Sequence, residues 1–179
     1  MNHIILLLRG INVSGKNIIK MADLQDLCRN IGFESVETYI QSGNIVVQTH
    51  LTPTDAAHQL HQGIQNTFGL DVPTLGLNGE TLREMMEQSP MQQEGIPITE
   101  QHYTLLHAQP DPTDWEKLMS YDYPPDRIIQ GDQVVYVHCP NGYGQTKFTN
   151  TFVEKKLGVG ATTRNGKTML KLLEMSGNN

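Results

Sequence analysis

The chain has 179 residues, a net charge of −6 and 37% hydrophobic residues, a size and composition suited to one domain or two small ones. This composition excludes a disordered chain and a membrane-spanning one, and the acidity argues against nonspecific coating of long nucleic acid. Nine of the 13 basic residues lie within residues 1–20 and 146–179, which together hold two of the 19 acidic residues. This segregation predicts a positive field for an anionic ligand, provided that the two ends fold side by side.

The chain opens with five consecutive aliphatic residues, Ile4 to Leu8, which predict a buried strand over residues 3–9. The run is too short for a membrane span, and it lacks the preceding basic segment of a signal peptide. Because Cys28 and Cys139 are two isolated thiols, we expect them to be reduced and the protein to be cytoplasmic.

The remaining elements follow from hydrophobic periodicity and turn residues. The first half continues with helix 21–31, hairpin 36–49 turning at Ser42-Gly43, helix 54–67 and strand 72–77. A helix at 80–88 and a linker rich in Pro, Gly and Gln follow. The second half has strand 102–108, helix 112–120, hairpin 127–138 turning at Gly131-Asp132, helix 147–157, strand 161–163 and a final helix near 166–175.

Two segments repeat at one offset of 89 residues: residues 39–47 match 128–136, and residues 68–74 match 157–163. Two matches at a common offset predict an internal duplication. Each half then has the βαββαβ order of ferredoxin-like units, whose first and third strands are central. We therefore predict an α+β protein of two ferredoxin-like halves packed together, plus a C-terminal helix. The first half spans 1–78, the connecting helix and linker 79–100, and the second half 101–179.

The segment after the first strand is the first candidate site. Gly10, Gly15 and Lys16 have the spacing of a phosphate-binding P-loop, but Asn17 replaces the Ser or Thr that holds magnesium, which disfavours an NTPase. We predict instead that Arg9, Asn12 and Lys16 line an anion site. The alternative is a glycine-rich connection whose lysine only faces water.

Three more segments are candidates for ligand contacts. Residues 142–147 precede a predicted helix, where Thr146 would cap the helix and Lys147 would add charge. Thr163, Arg164 and Asn165 precede the final helix, and the polar hairpin turn contains Gln41, Ser42 and Asn44. Each segment also has a purely structural reading as a turn or a helix cap.

Patterns of catalysis are weak. His58 and His61 lie one helical turn apart without a third ligand, so we expect no metal, and no motif indicates a cofactor. Cys28 lies on the apolar face of its helix, which predicts a core thiol, and Cys139, at a strand end before Pro140, is a weak candidate for a nucleophile. No pair of carboxylates stands out as an acid and base, so the sequence assigns no catalytic residue and leaves open whether the protein is an enzyme.

These segments resemble the bacterial family called domain of unknown function 1697 (DUF1697). The resemblance rests on residues 7–17, 20–24, 39–44, 140–147, 157–159 and 161–165. It implies a cytosolic α+β protein with duplicated ferredoxin-like halves and no established activity. The chain departs from the family at Gly166, where members usually have a Trp with a large flat surface, and at Ser14, which replaces a common Gly. The family motifs map onto Arg9, Asn12, Lys16, Gln41, Ser42, Asn44, Lys147, Thr163, Arg164 and Asn165.

The favoured hypothesis is a protein that binds a phosphorylated or nucleotide-like small molecule in a cleft between its halves. Arg9 and Arg164 would clamp the anion, and Gln41 and Asn44 would orient the rest of the ligand. The alternative is a nucleic-acid or protein-partner module without catalysis. The predicted central strands lack the aromatic residues on which RNA bases stack, which weakens the nucleic-acid form. We expect no membrane partner.

Overall fold

The structure, a computed structural model, describes residues 1–177 and contains two four-stranded antiparallel sheets. The first sheet has the strand order β2-β3-β1-β4. Its elements are β1 (Asn2–Leu8), α1 (Met21–Asn30), β2 (Glu34–Tyr39), β3 (Asn44–Thr49), α2 (Pro53–Phe68) and β4 (Thr74–Asn78), and α3 (Gly79–Glu87) follows.

The second sheet has the strand order β6-β7-β5-β8. It follows a short helix, α4 (Pro90–Gln93), and a 3₁₀ turn at Ile98–Glu100. Its elements are β5 (Gln101–Leu106), α5 (Pro112–Met119), β6 (Arg127–Gln130), β7 (Val134–His138), α6 (Asn150–Leu157), β8 (Ala161–Asn165) and the final helix α7 (Gly166–Met175). The α+β prediction is confirmed, and in each sheet the first and third strands in chain order are central.

The chain divides into two compact units, and the division falls inside two helices. Unit 1 comprises Met1–Arg83 with the segment that begins at Lys171, and unit 2 comprises Glu84–Leu170. The predicted linker is therefore not an irregular segment throughout, since it contains α4 and the 3₁₀ turn.

The core of unit 1 lies between one face of its sheet and the helices α1 and α2. Alternate residues of β1 (Ile4, Leu6 and Leu8) are almost fully buried there against Leu24 of α1 and Leu60 of α2. Each such side chain stabilises the fold by about 2 kcal/mol relative to an exposed position. Helix α2 begins where Thr52 accepts a hydrogen bond from the Asp55 N–H (3.1 Å), which satisfies one free donor of its first turn.

The core of unit 2 has the same construction. Val135 and Val137 of β7 pack with Trp115 of α5 and Leu157 of α6. Helix α6 ends at Gly158 with φ of 66°, and α2 ends at Gly69 with φ of 68°, a left-handed conformation that Gly adopts without cost. The predicted repeat of a helix ending on a left-handed Gly is confirmed at both positions.

Several predicted boundaries were wrong. The first hairpin turns over residues 40–43 and the second over residues 131–133, instead of the two-residue turns predicted. Helix α6 begins at Asn150 instead of Lys147, because Thr149 caps it by accepting from the Phe152 N–H (3.2 Å). Thr146 instead accepts from the Phe148 N–H (3.1 Å), and a 3₁₀ turn occupies Tyr143–Gln145. Strand β8 extends to Asn165, two residues beyond its predicted end.

Candidate ligand-binding site

The connection from β1 to α1, residues 9–20, is a loop with its own backbone hydrogen bonds; we call it the basic loop. Its backbone has positive φ at five positions: Gly10, Asn12, Ser14, Gly15 and Asn17. The Asn12 N–H donates to the Asn17 carbonyl (3.1 Å) and the Lys16 N–H to the Val13 carbonyl (2.9 Å), so the loop folds back on itself. Lys16 and Lys20 are exposed, and Arg9 is half-buried where the loop leaves the sheet.

Asn12 joins this loop to the turn between β2 and β3. Its Nδ2 donates to the carbonyls of Ile19 and Gln41 (2.9 Å each), and its Oδ1 accepts from the Ile19 N–H (2.9 Å). The amide therefore holds both ends of the basic loop to the β2–β3 turn, beside the point where β1 ends and β3 begins. Its polar atoms serve the loop itself, which is the structural reading of this residue.

The β2–β3 turn brings three more predicted residues to the same end of these strands. Gln41 is exposed and Ser42 half-buried, whereas Asn44 is fully buried. The Asn44 amide donates to the Tyr39 carbonyl (3.1 Å) and to Ser42 Oγ (2.9 Å), so it shapes the turn. Gly43 is required here, since its φ is 77° and a Cβ would lie 2.5 Å from that of Leu8. Arg9, Asn12, Gln41, Ser42 and Asn44 are thus brought together within unit 1.

Exposed aliphatic side chains surround the junction of loop and turn. Val13, Ile18 and Ile40 have exposed fractions of 56%, 61% and 53%. They adjoin Asn12, Ile19 and Gln41, whose backbones the Asn12 amide connects. This end of the sheet therefore combines cations with apolar side chains. The sequence motifs did not predict that combination.

In unit 2, the predicted trio at residues 163–165 is divided between two faces of the sheet. Because these residues continue strand β8, their side chains alternate: Thr163 and Asn165 lie on one face and Arg164 on the other. Asn165 caps α7 by accepting from the Thr168 N–H (2.8 Å), as Asn78 caps α3 by accepting from the Thr81 N–H (2.8 Å). The three residues precede the final helix, as the sequence predicts, and Asn165 is its cap; their role as ligand contacts stays a prediction.

Thr163 belongs to a partly buried hydrogen-bond network. Its hydroxyl donates to Asn150 Oδ1 (2.8 Å) and lies 2.9 Å from the hydroxyl of Thr104 on the neighbouring strand. The Asn150 N–H donates to the Tyr143 hydroxyl (2.7 Å), which ties the loop after β7 to the start of α6. Thr163 therefore positions the loop that carries Lys147.

Arg164 is partly buried. Burial lowers its pKa from the usual value to about 10, and its Nη1 donates to the Thr163 carbonyl (2.9 Å). A pKa of about 10 leaves the guanidinium charged at neutral pH. Arg164 is therefore a source of positive charge inside unit 2.

Lys147 lines a cavity of about 340 Å³ on unit 2. One wall is the turn at residues 122–126, and the other is formed by Asn141, Gln145 and Lys147 from the loop after β7. The Lys147 ammonium lies 4.8 Å from the centre of the Tyr123 ring, in cation–π range. We call this the unit 2 cavity.

Sequence reasoning missed the opposite wall of this cavity. Asp122, Tyr123 and Asp126 come from the turn before β6, and only folding brings them against residues 141–147. The Pro124-Pro125 pair marks a rigid turn, which was the available signal. The motif at residues 140–147 already contained Asn141 and Gln145, but not what faces them.

The loop after β7 rests on a buried histidine. His102 is 7% exposed, and its ring stacks on Tyr143 with centroids 4.8 Å apart. Burial lowers the pKa of the imidazole, and a hydrogen bond with the Glu100 backbone opposes this shift only in part. His102 is therefore neutral in the folded unit at neutral pH.

Gly166 cannot be replaced by a larger residue without rearrangement. A Cβ there would lie 2.5 Å from Ile98 Cδ1 and 2.8 Å from the Ile98 carbonyl oxygen. The 3₁₀ turn before β5 thus fills the space that a side chain at position 166 would need.

The described residues offer little redox or metal chemistry. Burial raises the pKa of Cys139 to about 11 and that of Cys28 to about 12, so both thiols are protonated and weakly nucleophilic at neutral pH. No group of three or more His, Cys, Asp or Glu side chains within residues 1–177 could hold a metal ion. Over the same residues, no helix is both long and apolar enough to cross a bilayer.

The comparisons with known proteins agree with this fold. The family model "Protein of unknown function (DUF1697)" matches residues 1–136. The chain belongs to this family. The match covers most of unit 1 and much of unit 2, and it confirms the resemblance drawn from the loop motifs.

A solved structure extends the likeness over nearly the whole chain. It is that of the conserved bacterial protein SP0830 from Streptococcus pneumoniae, which is 23% identical and has a TM-score of 0.76. The alignment covers 97% of the DUF1697 chain described here and 98% of that chain. At this identity the likeness concerns the fold alone. The comparison with curated proteins gives no match.

Proposed function

We propose that this protein binds a small anionic ligand, phosphorylated or nucleotide-like, and that the basic loop of unit 1 takes part in binding. The observation that carries the proposal is the basic loop itself: three cations and no carboxylate within residues 1–20, on a backbone held by its own asparagine amides. A charged loop that is already ordered loses little conformational entropy when it binds an anion.

The ten candidate residues take three roles in this proposal. In unit 1, Arg9, Lys16, Gln41 and Ser42 are the ligand contacts, and in unit 2 Lys147 is a separate candidate contact at the unit 2 cavity. Arg164 contributes charge. The remaining residues hold the loops in place, because their polar atoms are committed to backbone or network hydrogen bonds: Asn12, Asn44, Thr163 and Asn165.

Thermal unfolding in the presence of inorganic phosphate, pyrophosphate and a nucleotide tests the proposal. Ligand at a hundredfold excess over its Kd stabilises the folded state by about 2.7 kcal/mol. Lys16→Gln changes an exposed side chain and should weaken binding about tenfold, the usual loss for one charge-assisted hydrogen bond. Arg9→Gln should act in the same direction.

Arg29→Gln is the matched control, because Arg29 is an exposed cation of α1 that pairs with Asp26 outside the loop. It should leave binding unchanged. The proposal fails if millimolar ligand stabilises nothing, or if Arg29→Gln weakens binding as much as Lys16→Gln.

A second candidate function is a partner-binding module without catalysis. The exposed Val13, Ile18 and Ile40 beside the basic loop favour it, since apolar side chains rimmed by charge are common at protein interfaces. Fluorescence anisotropy with short RNA and DNA tests its nucleic-acid form. Binding that weakens with salt supports it, and no binding at low salt rules it out.

We also propose that the two units descend from duplication of one ferredoxin-like βαββαβ unit in a cytoplasmic protein. The identical strand orders, the matching left-handed glycines and the paired caps Asn78 and Asn165 support the duplication. Superposing experimental coordinates of the two units tests it: equivalent strands should overlap in order, and a better match to an unrelated fold would contradict it.

A further inference from the structure

The unit 2 cavity has a lining that an anion alone does not explain. Asp122 and Asp126 contribute two carboxylates, Asn141 and Gln145 two carboxamides, and Lys147 one ammonium group. Two carboxylates repel a bare phosphate, so a ligand of this cavity must also offer hydrogen-bond donors.

Hydroxyl groups satisfy this requirement. A hydroxyl donates to a carboxylate and both donates to and accepts from a carboxamide, so several adjacent hydroxyls use all four side chains. Lys147 supplies three donors, which suit a phosphate at one end of the ligand. The lining therefore combines groups that recognise a polyol with one that recognises an anion.

Part of the lining of the cavity is apolar. Pro124, Pro125 and the Tyr123 ring form this part of the lining, and Tyr123 lies on Phe148 with centroids 5.2 Å apart. Such a surface suits the C–H face of a sugar ring, which is apolar between its hydroxyls. The Lys147 ammonium lies over the Tyr123 ring, so it can bind a phosphate beside this apolar part of the lining.

Both walls are fixed by backbone hydrogen bonds. The Asp126 N–H donates to the Tyr123 carbonyl (3.1 Å), the Gly142 N–H to the Cys139 carbonyl (3.0 Å) and the Gln145 N–H to the Gly142 carbonyl (3.1 Å). Ordered walls reduce the entropic cost of binding. The volume of about 340 Å³ lies at the small end of the usual range of about 300–1,000 Å³, which favours one sugar ring over a dinucleotide.

We propose that the unit 2 cavity binds a monosaccharide phosphate, with the sugar hydroxyls on Asp122, Asp126, Asn141 and Gln145 and the phosphate on Lys147. Only the phosphate part of this inference rests on the proposed function, which calls for an anionic ligand. The hydroxyl contacts stand on the lining of the cavity.

Isothermal titration calorimetry of the full chain tests this with glucose 6-phosphate, ribose 5-phosphate, the two unphosphorylated sugars and inorganic phosphate. We expect at least one sugar phosphate to bind more tightly than its sugar and than inorganic phosphate. Lys147→Gln and Asp122→Asn should each weaken that binding about tenfold, since each removes a charge-assisted hydrogen bond. Lys117→Gln and Glu116→Gln make the same changes of charge on exposed positions of α5 and should leave binding unchanged.

The outcomes separate this inference from the proposed function. Binding of a sugar as tightly as its phosphate, with sensitivity to Asp122→Asn, supports the polyol site and counts against the anionic ligand. Binding of a sugar phosphate that depends on Lys16 but not on Asp122 or Lys147 supports the proposed function and overturns the inference. Binding of none of the five probes overturns the inference, as does a calorimetric response to Mg²⁺ or Ca²⁺ that Asp122→Asn abolishes.

Discussion

The two units share one strand order but place their long loops at different crossovers. In unit 1 the long connection is residues 9–20 between β1 and α1, whereas residues 107–111 make the equivalent connection in unit 2. In unit 2 the long connection is residues 139–149 between β7 and α6, whereas residues 50–52 suffice in unit 1. Burial against the sheet specifies the framework, while the solvated crossovers are free to differ and hold the candidate ligand contacts.

The units also solve one packing problem in different ways. Gly76 of β4 lies opposite Leu6, and Thr163 of β8 lies opposite Thr104 in the same place in its sheet. Unit 1 uses the glycine to admit the backbone of α2 at Pro53, whereas unit 2 connects Thr163 to α6 through Asn150. A close backbone contact in unit 1 and a partly buried polar network in unit 2 thus occupy equivalent positions. Substitutions at the two positions should therefore destabilise the units by different amounts.

Gly76→Ala should have the largest effect. Its Cβ would overlap the Pro53 carbonyl oxygen and lie 2.7 Å from the carbonyl carbon, so α2 must move away from the sheet. We expect a loss of about 3 kcal/mol in the free energy of unfolding, measured by urea denaturation. Gly144→Ala is the control, because nothing among the described residues lies within 4 Å of its Cβ, and it should change stability by less than about 0.5 kcal/mol. Equal effects would refute the close approach.

Thr163→Val should cost about 2 kcal/mol, because it leaves the buried Thr104 hydroxyl and Asn150 carboxamide short of a partner. Urea denaturation measures the loss. Thr151→Val makes the same change at an exposed position of α6 and should be nearly neutral. If Thr163→Val is as mild as this control, the network does not hold unit 2 together, and the contrast with unit 1 disappears.

Asn12→Gly should cost about 1–2 kcal/mol, because it removes three side-chain hydrogen bonds while keeping the positive φ accessible. Hydrogen exchange should accelerate at the Ile19 N–H, which donates a hydrogen bond to Asn12 Oδ1, and should stay unchanged in unit 2. Ser14→Gly replaces another residue of positive φ at the exposed tip and should have little effect. If the Ile19 N–H exchanges as slowly in Asn12→Gly as in the unaltered protein, other contacts hold the basic loop in place.

The smallest effect should be a pH dependence specific to unit 2. Burial lowers the pKa of His102 in the folded state, so the unfolded chain, with a His pKa of about 6.5, takes up a proton first as pH falls. The free energy of unfolding should therefore decrease below about pH 6.5 and level off once pH lies below the folded-state pKa. His102→Phe keeps an aromatic ring beside Tyr143 and should flatten this dependence. The exposed His58→Gln should leave it intact, and an unaltered slope in His102→Phe would exclude His102 as its source.

Most of the framework was predictable from local patterns. The aliphatic runs of β1, β3 and β7 mark central strands because only strands covered on both faces lose their polar alternation. Boundaries were less accessible: α6 was placed too early because Thr146 and Thr149 are both plausible caps, and only the fold selects Thr149. β8 was ended too early because its last residues pair with β5, a contact distant in sequence.

The candidate site divides in the same way. The sequence motifs identified three candidate segments by their basic, polar and glycine residues: the basic loop, the hairpin turn and the loop at residues 142–147. They did not reveal that Asn12, Asn44 and Thr163 commit their polar groups to hydrogen bonds, because the partners of those bonds belong to other segments.

Hydrophobic periodicity and turn residues alone indicated two α+β units with aliphatic central strands, since these properties depend on neighbours a few residues apart. Which face Arg164 occupies, what Asn12 holds together and which residues enclose the unit 2 cavity depended on strand pairing and loop packing. Those contacts join residues far apart in the chain, and their free energy comes from burial and hydrogen bonding that exist only once the sheets have formed.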